Sequence, residues 1–177
     1  ATPLGAQEYQ IDTSHSALIW GIQHLGLGNT YGRFNDFTGT VRFDRADLGN
    51  SSVEIEAQVA SVDSGNQKRD DHLRNADFFD AGTYPTITFS ATGFRPADEP
   101  DTWVVPGEIT IRGVTRPLEA TVRLIGQGTH AMKKKPAIGF ESEFVLDRTA
   151  FGVGQGGVSK AVGEAVEILV AIEAIAE

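Results

Sequence analysis

The chain has 177 residues, 40% of them hydrophobic and 22% charged, which is the composition of one globular domain and excludes a disordered or fibrous chain. Its 24 acidic and 15 basic residues leave a formal net charge of -9, which argues against a nucleic-acid binder that works by neutralising phosphates. The absence of cysteine excludes a disulfide framework, a Cys-ligated metal site and a thiolate nucleophile, and no apolar run approaches the length of a membrane span.

Taken in chain order, the hydrophobic period is two. Leu18, Trp20 and Ile22 set the first phase, followed by Phe37, Gly39, Val41 and Phe43, then Val53, Ile55, Ala57 and Val59. Residues 66–79 (NQKRDDHLRNADFF) break the rhythm and read as a short helix or long loop across one end of a sheet. Alternation resumes at Ile87 and Phe89, at Trp103, Val105, Ile109 and Ile111, at Leu118, Ala120, Val122 and Leu124, and at Ile138, Phe140, Ser142, Phe144 and Leu146. Residues 161–177 carry enough Ala and Glu for a helix, but β-branched residues at Val166, Ile168, Val170 and Ile172 favour a strand. Turn signals fall at Gly26-Leu27-Gly28-Asn29, at Leu48-Gly49-Asn50-Ser51, between Pro96 and Pro100, and at Gly126-Gln127-Gly128. Eight or nine strands with short turns and no crossover helices predict an all-β, antiparallel sandwich or closed barrel, one domain over residues 1–177.

Several constellations carry chemistry on paper. Gly152, Gly154 and Gly157 spell G-x-G-x-x-G, but the 20 residues that follow are too few for a dinucleotide-binding unit, so a turn between late strands is the better reading. His15, His24, His72 and His130 show no metal-ligand spacing, so no metal and no cofactor are expected. Arg69, Asp70, Asp71, His72, Arg74 and Asp77 read as an ion-pair network with Leu73, Phe78 and Phe79 plugged into the barrel end, the alternative being an enzyme or redox-assisting protein that uses Asp70 and His72. Lys133, Lys134 and Lys135 precede Pro136 and suit a hairpin tip. The aromatic residues on the apolar phase suit either a filled core or a small-ligand cavity, and the pattern leaves both open.

Ile22-Gln23-His24-Leu25-Gly26 and Tyr31-Gly32-x-Phe34-x-Asp36-Phe37-x-Gly39-Thr40 resemble the start of the YceI family of lipocalin-like, polyisoprenoid-binding proteins. The same resemblance continues through Arg69-Asp70-x-His72-Leu73-Arg74-x-Ala76-Asp77-Phe78-Phe79, Tyr84-Pro85-x-Ile87-x-Phe89, the block from Gly107 to Pro117, and Val162-Gly163-Glu164-x-Val166. It implies an extended barrel of about eight antiparallel strands around a long apolar cavity. It also implies a non-enzymatic carrier of an isoprenoid lipid, either a polyprenyl phosphate or a quinone-type tail. The implied setting is periplasmic or secreted, consistent with an Ala1-Thr2-Pro3 start, with no nucleic-acid partner and at most a transient contact with a membrane surface. The inward phase nominates Leu18, Trp20, Ile22, Phe37, Val41, Phe43, Ile87, Phe89, Trp103, Ile109, Leu118, Phe140, Phe144 and Ile168 to line the cavity. A polar head would sit at the mouth, where a cation such as a lysine can meet it. The segments 129–136 and 152–157 are both expected near a barrel opening.

Overall fold

The computed structural model describes residues 6–177; the Ala1-Thr2-Pro3 start lies outside the described residues. Twelve strands form one antiparallel sheet. They are β1 Gln7–Ile11, β2 Ala17–His24, β3 Gly28–Phe34, β4 Phe37–Phe43, β5 Ser52–Gln58, β6 Val62–Asp63, β7 Thr86–Thr92, β8 Arg95–Pro96, β9 Thr102–Ile111, β10 Val114–Thr129, β11 Pro136–Asp147 and β12 Val162–Ala176. β1 and β2 lie in succession along one edge of β12, and β3 and β4 continue each other in the same way, so the chain makes eight up-and-down passes. Pairing of Tyr9 with Ala176 and of Ile11 with Ala174 closes the sheet into a barrel. β12 spans its length, about 45 Å at roughly 3.3 Å per residue.

The alternating pattern becomes strands because each side chain meets either the lumen or water. On β4, Phe37, Gly39, Val41 and Phe43 are buried while Thr38 and Arg42 are exposed. The C-terminal segment is a strand, as its β-branched residues predict. Gly126-Gln127-Gly128 is not a turn. It lies within β10, where the pairing with β11 shifts between Leu124 and Gly126, so Gly126 borders a β-bulge and Gly128 pairs regularly with Ala137.

The charged break folds as α1, Gln67–Arg74, at the end of the barrel between β6 and β7. Asn66 caps it by accepting from the Arg69 N–H at 3.0 Å. Leu73 is the one apolar side chain on α1, so the helix is held by tertiary ties. Arg74 donates to the carbonyls of Ala60 and Val62, and Arg112, in the hairpin between β9 and β10, donates to Ala76 and Gly152. Phe78, Ile109, Ile111, Phe151 and Val153 form a small core under this end.

Candidate functional site

One end of the barrel is solid. Phe43 packs edge-on against Trp103 and Phe140, with ring centroids 5.0 and 5.4 Å away, and Phe94 closes the group. Tyr9, Val105, Ile138 and Ala174 complete a core with no exposed surface to speak of. Towards the other end the same inward phase opens into a cavity of about 470 Å³. Leu18, Ile22, Ile55, Ile87, Phe89, Phe144, Val166, Ile168 and Val170 point inward yet are only half-buried, because they face empty space rather than one another. A close-packed interior would bury them fully.

The lining is almost wholly apolar. Of the fourteen nominated side chains, Leu18, Trp20, Ile22, Val41, Ile87, Phe89, Ile109, Leu118, Phe140, Phe144 and Ile168 border the cavity. Phe37, Phe43 and Trp103 do not: they share the inward phase but belong to the packed core, and Phe43 and Trp103 form its aromatic plug. Trp20 stands opposite Gly32 on β3, and a Cβ at position 32 would lie 2.1 Å from the indole Cζ2. The indole therefore occupies the volume of the missing side chain, which keeps the lumen clear. Its Nε1 is buried without a hydrogen-bond partner.

Among the described lining residues only two, His24 and Arg69, are also exposed to solvent, and they mark the mouth. His24 ends β2 and Arg69 lies on α1; Thr30, His72, Ala161 and Val162 line the cavity beside them. Sequence reasoning found no metal-ligand spacing at His24 and placed Arg69 in an ion-pair network, and nothing in the alternation separates a mouth residue from a loop residue. Arg69 is held by Ser64, donating from Nε to its hydroxyl at 2.7 Å and from Nη2 to its carbonyl at 2.8 Å.

Asp70 and His72 are not brought together as an acid–base pair. Asp70 is buried and accepts from the Ser64 N–H at 2.8 Å, whereas His72 Nε2 lies 2.9 Å from Asp77 Oδ2 and its ring meets the Phe78 ring edge-on. Both contacts tie α1 to its surroundings. Segment 152–157 lies at the mouth end, and its role is visible at Gly154, whose backbone passes between Phe78 and Arg148. The Arg148 guanidinium, itself on the cavity wall, donates to the carbonyls of Val153, Gly154, Val162 and Gly163.

Lys133, Lys134 and Lys135 sit at the solid end, a barrel length from the mouth, so they cannot meet a head group there. Lys133 instead lies 3.5 Å from Asp12. Asp12, His15 and Glu173 approach closely enough to share an ion, but the arrangement is that of an ion-pair network: Asp12 faces His15 at 3.2 Å, and Glu173 faces His130 at 3.8 Å. The His15 hydrogen bond holds the Asp12 carboxyl down to about 2. Among the described residues no helix is long and apolar enough to cross a membrane.

A closed eight-pass barrel, solid at one end and hollow at the other, defines a lipocalin-like architecture. The sequence of the YceI-like domain matches residues 9–174, and the chain belongs to that family. It is 38% identical to Protein YceI of Escherichia coli O157:H7 over 151 residues, covering 84% of this chain and 77% of that protein. It is 34% identical over 175 residues to a UPF0312 protein of Azotobacter vinelandii, covering 96% and 88%. The crystal structure of Burkholderia cenocepacia BcnA superposes with a TM-score of 0.84 at 27% identity, covering 92% of this chain and 98% of that one. A polyisoprenoid binding domain from Saccharophagus degradans shares the fold with a TM-score of 0.72 at 15% identity, covering 96% and 98%.

Proposed function

We propose that the protein is a non-enzymatic carrier that sequesters a long-chain isoprenoid lipid, with the tail in the blind cavity and the head at the mouth beside Arg69 and His24. The observation that carries this reading is the apolar void itself: side chains on the inward phase face about 470 Å³ of unfilled space, which reaches solvent beside His24 and Arg69. Each 100 Å² of tail withdrawn from water contributes about 2.5 kcal/mol before ordering costs are met. The description of the Saccharophagus degradans neighbour as polyisoprenoid-binding supports the choice of ligand class. A polyprenyl phosphate or a quinone suits a mouth that presents the fixed guanidinium of Arg69. The periplasm is the setting implied by the family resemblance, and cell fractionation checks it.

Mass spectrometry of an organic extract of purified protein tests the reading. An isoprenoid at near-equal molar amount is expected. Stripped protein titrated with a long-tailed quinone should lose tryptophan emission and saturate near one ligand per chain. Trp20→Phe should remove more of that quench than Trp103→Phe, because only Trp20 borders the cavity. Stripped, folded protein that gives a flat titration, together with an extract free of lipid, would sink the proposal.

A further inference from the structure

We propose that the β2–β3 hairpin is a membrane-docking tip that seats the cavity mouth on an anionic phospholipid bilayer; the part of this inference that concerns ligand transfer rests on the carrier reading above. The tip carries Leu25 and Leu27, 57% and 87% exposed, and Tyr31, 57% exposed, stands just behind them on β3. Neither leucine serves the fold by burial. Leu25 also holds a left-handed backbone conformation, φ 52°, at a turn position where Asn, Asp or Gly would be unstrained. A branched apolar side chain is thus kept in water and in strain at one place, and that place adjoins the opening. His24, on the rim, is its sequence neighbour, and the Leu25 N–H donates at 2.9 Å to the carbonyl of Ala161, another lining residue.

The surrounding charge selects the occupant. Lys68 and Arg69 on α1 and Lys160 before β12 are exposed around the mouth. Asp71 pairs with Arg74 and Asp77 lies against His72, whereas Asp63 and Asp147, hydrogen-bonded in turns and caps, keep their negative charge. Glu164 lies on the same rim and offsets part of the positive charge. A chain of net charge -9 is repelled by an anionic surface in most orientations, so a rim where Lys68, Arg69 and Lys160 offset Asp63, Asp147 and Glu164 favours the orientation that presents the hairpin. Two leucines at the acyl boundary, a tyrosine at headgroup level and cations facing phosphate form an interfacial anchor. Docked in this way, a tail passes from bilayer to cavity without crossing open water.

The test is sedimentation of the full chain with vesicles of equimolar phosphatidylcholine and phosphatidylglycerol, and with phosphatidylcholine alone. The proteins compared are wild type, the double variant Leu25→Asn/Leu27→Ser, and Met132→Ser at the far end of the barrel. Asn suits the left-handed position, so folding is preserved. Wild type and Met132→Ser should pellet with the anionic vesicles, less so as salt rises, and the double variant should bind at least about tenfold more weakly. Quinone uptake from detergent micelles should be unchanged in the double variant, while uptake from vesicles slows. Wild type that stays in the supernatant, or a double variant that pellets as well as wild type, overturns the proposal. So does a hairpin-dependent dimer that ignores vesicles, since the apolar tip would then serve a second copy of the chain. Failure of all three proteins to take up quinone from micelles would count against the carrier reading, and vesicle pelleting would still decide the docking surface.

Discussion

Along β11, Ile138 and Phe140 are buried, and Phe144 and Leu146, on the same face of the same strand, are half-buried. β12 repeats the contrast in the opposite direction, from half-buried Val166, Ile168 and Val170 to buried Ile172 and Ala174. The two halves of the barrel therefore share strands, pairing and residue types. They differ in what fills the middle. At the solid end large rings from several strands converge, Phe43, Phe94, Trp103 and Phe140, and meet one another. At the hollow end the inward side chains are mostly aliphatic, and Trp20 leans over Gly32 instead of crossing the lumen. Ring convergence is what turns an eight-pass barrel from a container into a core.

The contrast can be broken by truncation. Phe43→Ala removes the ring that touches three other aromatics and should cost about 3–5 kcal/mol by chemical denaturation, since it opens a void in a filled region. A loss below about 1 kcal/mol would mean that this end is not close-packed. The Asp12 network fastens the β10–β11 hairpin to the kink between β1 and β2 at the solid end. The carboxyl of Asp12 is held below its ordinary 3.8, at about 2, chiefly by His15, so its stabilisation is complete above about pH 5 and disappears as pH falls through about 2. Asp12→Asn should therefore cost about 1–2 kcal/mol at neutral pH, less than the full shift because His15 is well exposed, and almost nothing near pH 2, read from parallel denaturation curves. Equal losses at both pH values would remove the electrostatic account.

At the hollow end, Phe144→Ala should cost only about 1–2 kcal/mol, because the side chain already borders empty space and its loss enlarges a void rather than creating one. Its larger effect should be on uptake of an added isoprenoid quinone. A stability loss equal to that of Phe43→Ala would erase the distinction between the halves. The smallest effect is expected from His72→Ala, below about 1 kcal/mol, since the His72–Asp77 pair is well exposed. A variant of unchanged stability that loses turnover of some substrate would instead revive catalysis at α1.

The barrel was legible in the sequence because a wall with one wet face and one dry face writes itself as a period of two. The pattern names the inward face but says nothing of what stands across from it. Phe140 and Phe144 are indistinguishable by phase, and Phe43 and Trp103 read as cavity lining although they meet other rings. Gly126 looks like punctuation because a bulge and a turn use the same residue. The mouth was hidden for a different reason. His24 and Arg69 are 45 positions apart, and each is an ordinary polar residue until the hairpin and α1 are brought to the same rim. The three lysines, conspicuous as a run, lie at the wrong end.

The solid end has a consequence for exchange. A tube plugged by Phe43, Trp103 and Phe140 has no rear exit, so an occupant leaves by the path it entered and a newcomer cannot push it out from behind. Replacement must pass through a vacated barrel. On the carrier reading, the rate at which one occupant gives way to another is then set by departure alone and does not rise with the concentration of the competitor.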